Sequence, residues 1–234
     1  MSEVRVPEAW RQLFPESEIP FILSGILRCM IDETKRHPTE HENRITFRLW
    51  KKVRRDAILR TRPIHADLES WELGDEKGAE KAGRLDLRFI YSTRSQHPWP
   101  CFAIEAKRLH VTFPGAGWKS LVSEYVTTKQ ARPSEEEQGM MCFVTGRYSQ
   151  GLRAGAMLGY VFDGAVDDAR NAVAASIKTH AAKLRLRSGA GLALSSVVPN
   201  ENRISESAHE LADYVGADDL FAGRFTIYHL LAAV

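Results

Sequence analysis

Residues 83–109, GRLDLRFIYSTRSQHPWPCFAIEAKRL, carry two carboxylates and a lysine in a spacing suited to metal-assisted hydrolysis. The stretch reads as two strands joined by a loop. Leu85, Leu87 and Phe89 alternate with Asp86, Arg88 and Ile90, the period-two pattern of a half-buried strand. In the second strand Cys101, Ala103, Glu105 and Lys107 share one face, and Phe102, Ile104 and Ala106 share the other. Glu105 and Lys107 are then same-face neighbours roughly 6 to 7 Å apart. An acid and a lysine inside an apolar strand resist burial unless they are paired or bound. The loop between the strands, with Pro98 and Pro100, suits a hairpin connection. Antiparallel pairing brings Asp86 beside Glu105, and two carboxylates held together call for a hard divalent cation. A lysine next to them is placed to orient or deprotonate a water, which completes the kit for phosphodiester hydrolysis.

Asp86 followed by Glu105-Ala106-Lys107 on the next strand resembles the D…(D/E)xK signature of the PD-(D/E)XK nuclease superfamily, and FAIEAKRL is similar to the versions in small bacterial nucleases associated with defence against foreign DNA. Leu85 stands where the family pattern has proline. The resemblance implies an α/β, restriction-endonuclease-like three-layer fold with a central mixed β-sheet flanked by helices. It implies a Mg²⁺-dependent endonuclease, with Mn²⁺ able to substitute. Asp86, Glu105 and the carbonyl of Ala106 would be metal ligands, Lys107 would act on the water, and cleavage would leave a 5′-phosphate and a 3′-hydroxyl. Nucleic acid, DNA ahead of RNA, is the implied partner, with a regulatory or ATPase partner protein and a homodimer among the arrangements the resemblance allows. The other reading is a catalytically silent nuclease-fold subunit that binds nucleic acid or assembles a defence complex.

A chain of 234 residues, 44% hydrophobic and 26% charged, fits one soluble α/β domain over residues 1–234. No apolar run approaches the roughly 20 residues that cross a bilayer. The polar start, MSEVRVPEAWRQLF, lacks the pattern of a signal peptide, so a cytoplasmic location is expected. Cys29, Cys101 and Cys142 have no metal-site spacing and read as small core residues. There is no GxGxxG, no GxxxxGK[ST] and no GxSxG.

The elements around the hairpin follow from periodicity. A short helix is expected near Glu8 to Phe14. A second begins at Pro20, with Phe21, Ile22, Ile26, Leu27, Met30 and Ile31 buried and an end at His37-Pro38. Thr39 and Glu42 have the form of a capping box. The run from Arg44 to Arg62 is expected to be helical, with Ile45, Leu49, Trp50, Val53 and Ala57 on one side and basic residues on the other. Arg44, Arg48, Lys51 and Arg55 of that basic face, with Arg108, are the expected phosphate contacts. Glu42 falls within the apolar arc, and the family resemblance implies a metal-orienting role for it, with Glu40 as the substitute. A short strand is expected within residues 64–73 and a charged loop from Gly74.

Past the hairpin, a helix is expected from Trp118 to Lys129. By resemblance Tyr125 and Gln130 occupy places where substrate contacts occur, although a core tyrosine with a satisfied hydroxyl is the plainer account of Tyr125. MMCFVT, from Met140 to Thr145, reads as a buried strand, and so does Gly155 to Phe162. Ala165 to Leu184 reads as a helix and FTIYHLLAAV as a closing strand; His209 and His229 invite a catalytic reading, but a histidine inside an apolar strand, as His229 is, more often hydrogen-bonds within the core.

Overall fold

The computed structural model describes residues 14–37, 39–69, 86–92, 101–110, 122–127, 139–145, 153–187, 191–210 and 223–234, with Glu69 and Asp86 described by backbone alone. The helix expected near Glu8 to Phe14 and the charged loop from Gly74 lie outside these residues.

The described residues build a seven-stranded mixed sheet with helices on both faces. Helix α1 (Ile19–Met30) and α2 (Glu42–Val53) precede β1 (Ile64–Glu69), β2 (Asp86–Tyr91) and β3 (Cys101–Leu109). Next come α3 (Val122–Val126), α4 (Met141–Val144), β4 (Ala154–Val161) and α5 (Val166–Thr179), followed by β5 (Ala193–Leu194), β6 (Ile204–Glu210) and β7 (Arg224–Ala233). The strand order is β1-β2-β3-β4-β7-β6-β5. β1 to β3 are antiparallel neighbours, β3, β4 and β7 run parallel, and β6 is antiparallel to β7.

Strand β3 is buried on both faces and separates two cores. On one side Phe102, Ile104 and Ala106 meet Ile22, Leu23 and Ile26 of α1 and Ile45 and Leu49 of α2. On the other, Ala103 and Leu109 meet Tyr125 and Val126 of α3, Phe143 of α4 and Val173 and Ile177 of α5. Residues at i, i+3, i+4 and i+7 of α1 line its buried face, which is why this helix forms against the sheet.

Five expectations change. The helix expected from Ala165 to Leu184 spans Val166–Thr179 and gives way to turns over residues 180–185. The first helix ends at Met30, and Ile31, expected inside, is 68% exposed, with Phe21 also on the surface. The basic run does not stay helical to Arg62. It stops at Val53, because Asp56 Oδ1 accepts hydrogen bonds from the N–H groups of Ile58 and Leu59 and turns the chain. The N-cap of α2 is His41, whose Nδ1 accepts from Asn43 N–H, while Thr39 Oγ1 instead contacts His37 Nδ1. MMCFVT forms the short helix α4 and no strand. All four residues of α4 are buried, so its sequence shows no period by which to tell a helix from a buried strand. Gly139, at φ +63°, makes the turn into it. A Cβ there would collide with the backbone of Tyr125 and Glu124.

Outside the first core, Arg48 is buried between two carboxylates. Its Nε meets Glu33 and its Nη1 donates to Glu40 at 2.6 Å, while Lys52 holds the other oxygen of Glu33 at 2.8 Å. Burial acts to raise the Glu40 carboxyl, but hydrogen bonds from Arg48 and from the Arg36 N–H outweigh it and hold Glu40 below its ordinary value. Replacing Arg48 by methionine would strand both carboxylates. The Arg48→Met variant should lose roughly 3 kcal/mol in denaturant titration, the low end of the range for a broken buried pair because Lys52 still engages Glu33. A loss below about 1 kcal/mol would show the cluster to be solvated.

Candidate functional site

The pairing of β2 with β3 sets the candidate site. Leu87 lies opposite Ile104 and Phe89 opposite Phe102, both pairs in the first core. Carrying that register one residue further places Asp86 across from Glu105. On the other side of β3, Glu105 is in register with Met157 and Lys107 with Gly159 of β4.

Glu105 is fully buried and Lys107 is 8% exposed. Both belong to the face shared by Ala103 and Leu109, toward the α3 to α5 layer, as alternation along β3 requires. Lys107 Nζ lies 3.0 Å from Glu105 Oε1, a close ion contact whose angles fall outside those of a hydrogen bond. Ala106 points the other way, into the first core. Gly159 gives this face its room: a Cβ there would meet Leu109, Leu231 and the ring of Tyr125. A buried carboxylate with a second carboxylate in register is a hard oxygen donor set of the kind that suits magnesium or manganese, so these residues fit the implied ion.

Other expected residues sit elsewhere. Glu42 opens α2 and directs Oε2 to Arg108 Nε at 3.0 Å. Arg108 shares the face of Ala106, so Glu42 and Glu105 lie on opposite sides of the sheet. Glu40 is committed to Arg48. Arg48 is buried, contrary to its expected place on an exposed basic face, because two carboxylates draw it inward. Lys51 and Arg55 are exposed, Arg44 is half-buried, and Arg108 is engaged with Glu42. Gln130 lies outside the described residues. Cys142 is buried, as expected, whereas Cys29 and Cys101 are only partly so.

Tyr125 is a core residue, and it heads a buried polar chain that sequence reasoning missed. Its hydroxyl is 3.0 Å from His229 Nδ1, and Ser207 Oγ is 2.8 Å from both His229 Nε2 and His209 Nε2. His209 Nδ1 is 2.8 Å from the carbonyl of Leu184. That carbonyl only accepts, so His209 carries its proton on Nδ1. Its Nε2 then accepts from Ser207, Ser207 accepts from His229 Nε2–H, and Tyr125 donates to His229 Nδ1. Every donor in the chain is used once. The alternation of Ser207 and His209 in ISESAHE was the available signal, since a period of two places both on one face.

Burial lowers both histidines, with His229 brought down to about 3 by its burial and by the neighbouring His209, and His209 lowered against the pull of the Leu184 carbonyl. Burial also raises Tyr125 well above its ordinary value. All three are neutral in the folded protein near pH 7.

No family model matches the chain, and no curated protein or solved structure matches it. Among the described residues no helix is long and apolar enough to cross a membrane.

The histidine pair makes stability depend on pH. Below the ordinary value of 6.5 the unfolded histidines take up protons and the folded ones do not, so stability is fully present above 6.5 and is lost as pH falls toward about 3. Denaturant titrations from pH 7 down to about 5, above the range where ordinary carboxylates titrate, should show stability dropping by up to roughly 1.4 kcal/mol per pH unit per histidine. The His229→Leu variant should flatten that slope. An unchanged slope would mean that His229 is protonated in the fold.

Proposed function

We propose that this chain is a metal-dependent nuclease with a restriction-endonuclease-like fold, an endonuclease acting on DNA in bacterial defence. One observation carries the reading: the antiparallel register that sets Asp86 opposite Glu105, with Lys107 Nζ 3.0 Å from the Glu105 carboxylate. The defence context rests on the resemblance of FAIEAKRL.

Asp86, Glu105 and the Ala106 carbonyl would hold the metal. Magnesium, or manganese in its place, supplies a Lewis acid that offsets the charge growing on the phosphate. Lys107 orients the attacking water. The water oxygen bonds to phosphorus, the bond to the 3′-oxygen breaks, and the proton passes to that oxygen, leaving a 5′-phosphate and a 3′-hydroxyl. The β2–β3 pairing fixes the two carboxylate-bearing positions on rigid backbone, which holds a reacting geometry better than a loop would.

The full burial of Glu105 supports a second reading, a nuclease-fold subunit that is silent until a partner opens it. A carboxylate with no exposed surface, already engaged by a lysine, takes up an ion only after its cover moves.

Incubating the purified chain with supercoiled plasmid, single-stranded DNA and RNA in Mg²⁺ or Mn²⁺ separates the two. Metal-dependent cutting should fall on the order of 100-fold or more in Asp86→Ala and in Lys107→Ala, with folding intact. Cutting that survives either change removes the proposed site. No cutting by the wild type favours the silent subunit.

A further inference from the structure

The described carboxylates around the end of α2 are already taken. Asp56 binds Arg28 through both oxygens at 3.0 and 3.2 Å, Glu33 is shared by Arg48 and Lys52, and Glu18 binds Arg62 at 2.7 and 2.8 Å. Lys51, Arg54, Arg55 and Arg60 remain as a surplus. All four are exposed, and none forms an ion pair with a carboxylate among the described residues. Four such cations fall within residues 51–60.

Two of the four cations are also pre-positioned by aromatic rings. Lys51 Nζ lies 4.2 Å from the centre of the Phe47 ring, and the Arg54 guanidinium lies 4.8 Å from that of Trp50. Trp50 in turn donates its indole N–H to the Ala66 carbonyl of β1, the edge strand of the sheet. Arg60 N–H donates to the Asp56 carbonyl, which ties its turn back to the end of α2. An exposed cation that is stacked on an aromatic ring loses less side-chain freedom when it meets a phosphate.

We propose that Lys51, Arg54, Arg55 and Arg60 form a holding surface for the phosphate backbone of a nucleic acid, separate from the Glu105/Lys107 centre. This rests on the nuclease reading for its choice of polyanion. α2 covers the face of the sheet opposite Glu105 and Lys107, so the four cations and the reaction centre do not share a face. Binding and cutting are thus separable. An anionic membrane is a poorer fit, because Ile58, 46% exposed, is the one large apolar side chain exposed within residues 51–61, and a single such residue gives little insertion area.

Anisotropy of a short labelled DNA duplex, titrated with protein in EDTA across a range of salt, tests this without any cleavage. The wild type should bind with affinity falling steeply in salt. The K51A/R54A/R55A/R60A variant should bind at least tenfold more weakly, with the log–log salt slope reduced by roughly 3 to 4, about 0.9 for each phosphate no longer neutralised. The single changes Arg55→Ala and Arg60→Ala should each reduce the slope by about 0.9, which guards against misfolding of the fourfold variant. Arg203→Ala, which removes a cation paired with Glu201 at 2.6 Å, should leave the slope unchanged. An unaltered slope in the fourfold variant overturns the proposal. So does failure of the wild type to bind duplex, single-stranded DNA or RNA, or tighter binding to phosphatidylserine vesicles than to any of them. Duplex binding that depends on the four cations, in a protein that never cuts, sustains this surface while removing the nuclease reading.

Discussion

Glu105 and Lys107 leave water together, and the cost of doing so governs how β3 is built. Either group alone costs more in a strand with apolar cores on both faces than the two in contact. Lying two residues apart, they share one side of the strand, and that spacing brings them into ion contact. Their neighbours conform to this arrangement. β4 offers a glycine beside Lys107, the ring of Tyr125 closes over that glycine, and Tyr125 is oriented by a line of buried hydrogen bonds running along the same face of the sheet to β6. Well-packed hydrophobic residues would suit such a strand at least as well as an ion pair does.

The strands carrying this arrangement were legible because their side chains alternate. Leu87 and Phe89 announced the inward face of β2, and CFAIEAKRL announced β3 with the correct parity for Glu105 and Lys107. Both faces of α1 and the ends of α2 were less legible, for physical reasons that differ. Ile31 looks like a buried residue by type and by period, yet the helix ends one residue before it. The stop after Val53 depends on a side chain, Asp56, capturing backbone N–H groups, and no hydrophobic pattern records that. MMCFVT is apolar at every position but its last, so it offers no period at all.

Charged residues were the hardest to place. Arg48 lies in a basic run and looks solvated, but its partners Glu33 and Glu40 come from the segment before α2, and only the folded chain reveals that they enclose it. Glu42 was expected on the sheet side of α2 and is there, reaching Arg108. Its position across the sheet from Glu105 depends on which face α2 covers, which one helix's sequence does not encode. His229 was rightly expected in the core. Its coupling to His209 through Ser207 required knowing that β6 and β7 are neighbours.

The place of β7 has a further consequence for how the molecule comes into being. It is the last of the seven strands along the chain, yet it lies between β4 and β6, and the β5–β6 pair joins the sheet only through it. On a ribosome, β1 to β4 can associate as they emerge, while β5 and β6 wait with an open edge until residues 224–233 are made. Lys35 then fastens the newcomer, its ammonium donating to the carbonyls of Phe162 and Val234 at 2.7 Å each. Assembly of the two halves of the sheet thus waits for residues 224–233, and the polar sequence ISESAHE, with its serines and acids, is well suited to wait in water without aggregating.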